Sequence, residues 1–267
     1  MRTLRDVMDA VAAARAEGDG PIHGTLYDDL APLYAFERER MRDYPAVAEF
    51  VGEHVPADTR RVGVGACGPG LVLEQLAERF ETAVGFDLSP AMLELAAERT
   101  GAPVVRADLR SVVAPGAFDA FTILGGSIAH LPVVDDEDSV RAALGSIHDS
   151  LRPGGVFLCD FMERGALESG AVVTDTFESD RFHVERTVIT TGEPDGTTAL
   201  GGTGRYTFAY EITDHETDET VRVGTSTSVR EFGVPQLLGA VLAAGFTDAT
   251  LVRPPTHGMG LVAHKGT

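Results

Sequence analysis

The feature that most constrains the fold is an alternation of short apolar runs with amphipathic segments between Arg61 and Phe161. Strands are predicted at residues 62–65, 83–86, 104–107, 118–124 and 156–161. Helices are predicted between them at residues 71–80, 91–100 and 139–151. Strands that alternate with helices of this length form a parallel sheet covered by helices on both faces. We therefore predict an α/β fold with a doubly wound sheet.

The segments before and after this alternation follow other patterns. Apolar residues recur at helical spacing within residues 1–55, on either side of an aromatic and acidic stretch at 27–34. Between residues 182 and 229 the apolar period is two, and Gly- and Asp-rich turns interrupt it. This second pattern predicts an antiparallel insertion of three or four strands.

The end of the chain returns to the first pattern. A helix predicted at residues 234–244 ends at Gly245 and precedes strands at 249–252 and 260–264. The sheet is thus expected to resume after the insertion. The predicted organisation is a helical cap at 1–56, an α/β domain at 57–169 and 232–267, and an antiparallel insertion at 170–231.

Acidic residues outnumber basic residues by 41 to 22, which gives a formal net charge of −19. Such a field repels nucleic acid and anionic membrane surfaces, and neither is expected as a partner. Among the basic residues a single lysine, Lys265, stands beside many arginines, and the acids are dispersed along the chain. This surface resembles that of proteins from salt-loving archaea. The alternative is a generic acidic protein from a GC-rich genome.

The location of the protein is predicted from two absences in the sequence. No apolar run is long enough to cross a membrane, and the first sixteen residues alternate charged and apolar side chains, unlike a signal peptide. A cytoplasmic protein is expected.

Cys67 and Cys159 are far apart and lack metal-ligand spacing, so neither a disulfide framework nor a zinc site is predicted. Both are expected to be reduced thiols.

The turn after the first predicted strand is rich in glycine, with the sequence GVGACGPG at residues 63–70. Glycines let the backbone pass close to a ligand, and the following helix offers its N-terminal amides. Asp87 closes the second strand, where a carboxylate can accept hydrogen bonds from both hydroxyls of a ribose. These features indicate an adenosine-type cofactor without naming it. Gly63, Gly65 and Gly68 equally satisfy the dinucleotide fingerprint G-x-G-x-x-G.

Further motifs follow at the ends of the later strands. The third strand ends in Ala-Asp-Leu at 107–109, the fourth is followed by GGSIAHL at 125–131, and LRPGG at 151–155 precedes the fifth. In series with the Gly-rich turn and with GFDLSPAML at 85–93, these motifs resemble the class I S-adenosylmethionine-dependent methyltransferases. The resemblance covers residues 60–161.

The flanks resemble a narrower group, the small-molecule N-methyltransferases of the glycine, sarcosine and amino-sugar type, in residues 27–34, 127–131 and 230–232. The resemblance implies a Rossmann-like, seven-stranded, mostly parallel sheet with a reversed last strand and an antiparallel β insertion after strand five. It implies S-adenosyl-L-methionine as cofactor, S-adenosyl-L-homocysteine as product and a small-molecule methyl acceptor. No metal is implied, and a homodimer is the assembly considered.

The resemblance also implies roles for individual residues. Asp87 would hold the ribose, and Tyr27 would help to close the cofactor pocket. The other implied cofactor residues shape the turn under the methionine part, line the adenine slot, or follow strand four: Gly65, Cys67, Gly68 and Gly70; Leu88, Met92, Asp108 and Leu109; Leu124 and Gly125. The chain departs from the family at Val64, where a carboxylate ordinarily helps to hold the cofactor's ammonium group.

His130 and Tyr34 are the candidate catalytic residues. A free imidazole titrates near pH 6.5, which suits His130 to accept a proton from an ammonium or a hydroxyl, and the alternative is a loop histidine packed on the cofactor. Tyr34 could direct its phenol oxygen at the cofactor's methyl group, or be an ordinary core aromatic. Asp87 could instead cap the helix that begins near Pro90, and Asp108 could be a turn residue.

Two rival functions stay open. A nicotinamide-dependent oxidoreductase would use the same glycines and Asp87, but the helical segment before strand one and the LRPGG turn disfavour it. A non-catalytic cofactor-binding module is favoured by Val64. The expected acceptor is a small polar molecule, with an amine preferred over a hydroxyl, on account of Asp28, Asp29, His130, Arg186, Tyr206 and Tyr210.

Overall fold

The computed structural model describes residues 3–17, 24–111, 114–131, 136–192, 200–256 and 258–267. Within these ranges three helices precede the first strand: α1 Leu4–Glu17, α2 Ala31–Met41 and α3 Tyr44–His54. The stretch predicted as broken is a turn followed by the first part of α2, because Pro32 is compatible with a first helical turn. Tyr34 therefore lies on a helix.

From Arg61 onward, strands and helices alternate and then give way to consecutive strands. In chain order they are β1 Arg61–Gly65, α4 Leu71–Arg79, β2 Thr82–Asp87, α5 Pro90–Thr100, β3 Val104–Arg106, β4 Phe118–Ile123, α6 Asp136–Ser150, β5 Leu151–Phe161, β6 Val172–Glu178, β7 Phe182–Gly192, β8 Thr203–Asp214, β9 Glu219–Arg230, α7 Val234–Ala243, β10 Phe246–Val252 and β11 Met259–Lys265. Over the residues described, no helix is both long and apolar enough to span a membrane.

The central sheet has the strand order β10-β11-β5-β4-β1-β2-β3. Strands β1 to β5 pair in parallel, whereas β11 runs antiparallel to both β5 and β10. One face packs Val62 and Ala120 against α3, α4 and α5, and the other packs Phe121 and Phe157 against α6 and α7. The predicted doubly wound, mostly parallel sheet with a reversed last strand is confirmed.

Strand β5 begins earlier than predicted and carries an irregularity. Phe118 of β4 pairs with Leu151 of β5, but the next pair in register joins Ala120 to Val156. The four residues 152–155 of β5 therefore stand opposite the single residue 119 of β4, as in a β-bulge. Gly154 within this stretch has a φ of 74°. The pattern predicted a start at residue 156 because a proline and two glycines lower strand propensity.

The insertion forms a second sheet, a four-stranded antiparallel meander in the order β6-β7-β8-β9. Its inner face shares one hydrophobic core with α1 and α2, in which Leu4, Met8 and Leu33 meet Phe208 and Ile212. The N-terminal helices and the insertion, far apart in sequence, therefore bury each other's apolar faces. The predicted antiparallel insertion after strand five is confirmed, and its assignment as a separate domain stays a prediction.

Both cysteines are buried free thiols, as expected. Cys67 follows β1 and is 7% exposed, and Cys159 lies in β5 and is 1% exposed. Burial raises the pKa of each thiol, which opposes formation of the reactive thiolate.

Candidate active site

The Gly-rich turn between β1 and α4 has a left-handed backbone at three alternate positions. Ala66, Gly68 and Gly70 have φ angles of 48°, 54° and 87°. Ala66 is the one non-glycine residue of the three. A left-handed backbone conformation costs an L residue about 1 to 2 kcal/mol of free energy, so the surrounding structure must hold Ala66 in it. A Cβ added to Gly68 would meet no described atom within 4 Å. The turn thus leaves open space above Gly68.

Asp87, at the end of β2, ties this turn to helix α5. Its Oδ2 accepts a hydrogen bond from the amide of Gly68 at 2.8 Å, and its Oδ1 accepts one from the amide of Ser89 at 2.9 Å. Ser89, rather than Asp87, caps α5, because the Ser89 hydroxyl accepts from the amide of Met92. A carboxylate has about four lone-pair sites, and these two bonds leave the others for hydroxyl donors. Burial raises the pKa of Asp87.

The end of β3 supplies a carboxylate that already has a cationic partner. Asp108 accepts from Nη2 of Arg110 at 2.6 Å and from Nε at 3.0 Å, a two-point contact that lowers the pKa of Asp108. Nearby, Met92 and Leu109 are buried, whereas Leu88 is 56% exposed. The predicted adenine slot therefore has apolar sides and a charged rim.

The loop after β4 is held by a buried carboxylate that the sequence analysis missed. Asp160 in β5 is 0% exposed and accepts from the amides of Gly125 and Gly126 at 2.8 and 2.7 Å. Both glycines have positive φ, 98° and 80°, a backbone conformation that favours glycine. Arg42 donates to the carbonyl of Gly125 at 3.5 Å. The segment leading to His130 is therefore anchored from β5 and from the end of α2.

The N-terminal segment covers this region with aromatic and charged groups. The rings of Tyr27 and Tyr34 meet edge to face with centroids 5.4 Å apart. The Arg38 guanidinium lies 4.8 Å from the Tyr34 ring centroid, and its Nε is paired with Oε1 of Glu37 at 3.3 Å. The hydroxyl of Ser89 lies 2.6 Å from the carbonyl of Tyr27 and 2.7 Å from Oδ1 of Asp28, which fixes the segment to α5.

His130 joins two distant parts of the chain at the end of the short 3-10 turn after β4. Its Nε2 lies 3.3 Å from Oη of Tyr27, and its Nδ1 lies 3.5 Å from Oγ1 of Thr227 in β9. Burial raises the pKa of Tyr27, so the phenol stays protonated near neutral pH. It can donate to Nε2 when the imidazole carries its proton on Nδ1.

These elements surround a cavity of about 360 Å³ at the carboxyl ends of the parallel strands, where doubly wound proteins bind ligands. Its volume falls within the range of small-molecule sites. The cavity lining includes the predicted residues Tyr27, Tyr34, Gly68, Asp87, Leu88, Met92, Asp108, Leu109, Gly125 and His130.

Four predicted cofactor residues, Gly65, Cys67, Gly70 and Leu124, are not part of the cavity lining. A Cβ at Gly65 would lie 2.8 Å from a core leucine, and one at Gly70 would lie 2.9 Å from the Cα of Ala96. These glycines therefore allow close packing beneath the turn. Cys67 and Leu124 belong to the core on the α3, α4 and α5 face. Direct cofactor contact by these four residues stays a prediction.

Other residues of the cavity lining were not predicted from the sequence: Arg38, Ala66, Ser89, Arg106, Arg110 and Ser127. A signal existed for Arg106 and Arg110, because both flank Asp108 at the carboxyl end of a predicted strand. No local signal existed for Arg38, which reaches the cavity through the packing of α2.

Two residues predicted to suit the acceptor lie elsewhere. Arg186 and Tyr210 are 5% and 2% exposed and point towards α2. Both donate to Oε2 of Glu37, at 3.2 and 3.1 Å. Glu37 is 0% exposed, and a buried carboxylate is costly unless donors satisfy it. The expectation that Arg186 and Tyr210 face the acceptor is therefore wrong, because they stabilise this buried charge.

Val64 is 2% exposed and packs in the core, so it brings no charge to the site. Other residues supply charges of both signs around the cavity: Asp28, Asp87, Asp108, Arg38, Arg106 and Arg110. This mixture fits S-adenosylmethionine, which carries a carboxylate together with ammonium and sulfonium groups. Among the described residues no group of three or more His, Cys, Asp or Glu is arranged to hold a metal ion.

Comparison with known proteins gives matches over this region and beyond it. Residues 65–155 match a methyltransferase domain family. A dTDP-4-amino-2,3,4,6-tetradeoxy-D-glucose N,N-dimethyltransferase from Saccharopolyspora spinosa is 31% identical over 141 residues, which cover 51% of this chain and 53% of that protein. A dTDP-3-amino-3,6-dideoxy-alpha-D-glucopyranose N,N-dimethyltransferase from Streptomyces fradiae is 31% identical over 185 residues, which cover 64% of this chain and 70% of that protein.

A solved structure agrees with these matches. The S-adenosylmethionine-bound amino pentose methyltransferase from Micromonospora echinaspora superimposes with a TM-score of 0.74 at 25% identity, covering 86% of this chain and 95% of that one. These findings support a methyltransferase over the nicotinamide-dependent alternative. The chain belongs to the class I S-adenosylmethionine-dependent methyltransferases, among the small-molecule N-methyltransferases.

Proposed function

We propose that this enzyme transfers the methyl group of S-adenosylmethionine to the amine nitrogen of a nucleotide-linked amino sugar. The observation that carries the proposal is the position of His130, held between the cofactor cavity and the antiparallel sheet by contacts to Tyr27 and Thr227. We infer the class of acceptor from the two similar enzymes, which are named as N,N-dimethyltransferases of dTDP-linked amino sugars.

Different residues around the cavity would bind different parts of the cofactor. Asp87 would accept hydrogen bonds from the ribose hydroxyls, and Met92 and Leu109 would enclose the adenine between apolar side chains. The open space above Gly68 would admit the methionine part. Arg38, a cation that lines the cavity, would face the cofactor's carboxylate.

Proton removal from the acceptor is the chemical step assigned to His130. When bound, S-adenosylmethionine supplies a methyl group on a sulfonium, and a nitrogen lone pair must be free to attack it. An alkyl ammonium has no such lone pair, so a base is needed. Thr227 would accept a hydrogen bond from protonated Nδ1, which leaves Nε2 as the basic nitrogen. The Tyr27 hydroxyl next to Nε2 would yield this position to the acceptor's N–H, whose proton Nε2 then takes. The antiparallel sheet and the N-terminal segment would hold nucleophile and methyl group in line.

Aromatic and acidic side chains would attract the two cations of the reaction, the sulfonium of the cofactor and the ammonium of the acceptor. Tyr34 presents an electron-rich ring beside Tyr27, and its phenol is proposed to face the methyl and sulfonium region. Asp28 follows Tyr27 directly in the chain, lines the same cavity and adds negative charge to it. Both the sulfonium and the incoming ammonium are attracted by such groups.

The proposed partner of this enzyme is a small molecule, the methyl acceptor. The net charge of −19 supports the expectation that nucleic acid and anionic membranes are not bound. A homodimer that works in the cytoplasm remains the predicted form.

The test begins with calorimetry of S-adenosylmethionine and S-adenosylhomocysteine at high salt, where one-to-one binding is expected. A product-detection assay then supplies dTDP-3-amino-3,6-dideoxyglucose, dTDP-4-amino-2,3,4,6-tetradeoxyglucose, a hydroxylated aromatic and a carboxylate. The expected product carries one or two methyl groups on the sugar nitrogen. Methylation confined to the hydroxyl or carboxylate acceptors would reject the amine, and absence of cofactor binding would reject the whole proposal.

A further inference from the structure

Three hydroxyl-bearing side chains form a row across the inner face of the antiparallel sheet. Thr190 of β7 pairs in register with Tyr206 of β8, which pairs in register with Thr227 of β9. Residues in register on adjacent strands project from the same face and lie side by side. We call Thr190, Tyr206 and Thr227 the hydroxyl row.

The same face meets the N-terminal helices through apolar side chains and through the contacts of Arg186 and Tyr210 with Glu37. One in-register set there is Val184, Ile212 and Val221, all buried in the core shared with α1 and α2. Hydroxyls placed among such side chains would need hydrogen-bond partners. The hydroxyl row, at the end of the sheet nearest His130, is therefore a part of this face suited to contact a polar group.

The hydroxyl row lies next to the candidate catalytic residue. At one end, Oγ1 of Thr227 is 3.5 Å from Nδ1 of His130. In the middle, Oη of Tyr206 lies 3.5 Å from Sδ of Met162, the residue that follows β5. Thr190 at the other end is 8% exposed. The row thus runs from the imidazole of His130, past the residue that follows β5, to a buried threonine of β7.

We propose that the hydroxyl row recognises the ring hydroxyls of the acceptor sugar and makes the enzyme prefer a hydroxylated amino sugar to a deoxygenated one. The inference rests on the proposed function and names its specificity-determining residues. A hydroxyl both donates and accepts, so a row of three can match the hydroxyls of a sugar ring. A sugar without ring hydroxyls leaves polar groups of the site unpaired, which is how a polar site rejects an analogue.

The two amino-sugar nucleotides of the first test differ in this respect. The 3-amino-3,6-dideoxy sugar keeps ring hydroxyls at C2 and C4, whereas the 4-amino-2,3,4,6-tetradeoxy sugar keeps none. We would measure kcat/KM for both, and the Kd of both for the complex with S-adenosylhomocysteine. The wild-type enzyme should favour the hydroxylated sugar by about tenfold or more, the equivalent of one or two hydrogen bonds.

Two variants remove hydroxyls at nearly constant shape, Thr190→Val and Tyr206→Phe. Each should lower the preference for the hydroxylated sugar by about threefold or more, and leave the Kd of S-adenosylhomocysteine unchanged. Thr191→Val is the matched control, because Thr191 is the next residue of β7 and is exposed on the outer face. It should preserve the wild-type preference.

Equal kcat/KM for the two sugars, or variants that lower both in the same proportion, would overturn the inference. If neither sugar is methylated, the proposed acceptor class fails and the binding data decide the inference alone. Tighter binding of the hydroxylated sugar that the two variants abolish would support it. Binding of that sugar no tighter than the deoxygenated one would overturn it.

Discussion

The Oη atom of Tyr27 lies 3.3 Å from Nε2 of His130, although 103 residues separate the two in the chain. One comes from the turn before α2 and the other from the loop after β4, so their contact exists only when the N-terminal segment sits over the central sheet. The contact orients the imidazole that we propose as the base. It also makes the base dependent on a residue outside the central sheet.

Replacement of His130 by alanine should separate chemistry from cofactor binding. His130→Ala is expected to lower kcat for an amine acceptor by about 100-fold, a common contribution of a general base. The Kd of S-adenosylhomocysteine should change by less than about twofold, because the group acts mainly in the transition state. His264→Ala, on β11 and paired with Asp248, is the control. Normal turnover with weakened cofactor binding would assign His130 a packing role instead.

Removal of the Asp87 carboxylate should weaken cofactor binding. Hydrogen bonds to a charged group contribute about 1.5 to 3 kcal/mol each, so Asp87→Ala should raise the Kd of S-adenosylmethionine at least about tenfold by calorimetry. Asp87→Asn keeps the size of the side chain and shows how much of the loss is due to charge. An unchanged affinity in a folded variant would mean that Asp87 serves only to join the Gly-rich turn to α5.

Acid should loosen the attachment of the N-terminal helix to the antiparallel sheet through Asp214. This carboxylate accepts from Arg181 at 2.9 Å and from Arg5 of α1 at 3.3 Å, and the Arg181 contact above all lowers its pKa to about 2. The unfolded chain, with an Asp pKa of about 3.9, takes up the proton first. The stabilisation is therefore complete above about pH 4 and is lost as the pH falls towards 2.

The corresponding measurement is the melting temperature between pH 6 and pH 2.5 at constant ionic strength. Wild type should lose stability more steeply below pH 4 than Asp214→Asn. Asp218→Asn, an exposed position in the same turn, should follow the wild type. Parallel curves for all three proteins would contradict the role of Asp214.

Salt should stabilise this protein if its charge is an adaptation to a saline cell. With a net charge of −19, self-repulsion grows as the Debye length rises from about 3 Å at 1 M to about 30 Å at 0.01 M. We expect a lower melting temperature at 0.01 M than at 1 M sodium chloride. Sucrose at equal osmolality is the control for effects unrelated to charge. Identical melting temperatures at the two salt concentrations would contradict the predicted halophilic character.

The central sheet could be predicted from the sequence because its strands and helices are encoded locally. The apolar run of β4 and the helix that follows Ser89 and Pro90 are visible within a few residues. The Gly-rich turn and Asp87 each stand at the end of a strand, and parallel strands bring such ends to one edge. Most of the predicted site residues therefore line one cavity, and the missed Arg106 and Arg110 lie within the same local pattern.

The tertiary structure decided the side of the site that faces the acceptor. The period of β7, β8 and β9 predicted strands and left open which of their residues meet the cavity, so Arg186 and Tyr210 were misplaced whereas the contact of Thr227 with His130 was unforeseen. The reason is physical: α1 and α2 cover one part of the inner face, and the buried Glu37 on α2 draws Arg186 and Tyr210 towards itself. Such contacts depend on how distant elements pack, which a local pattern does not encode.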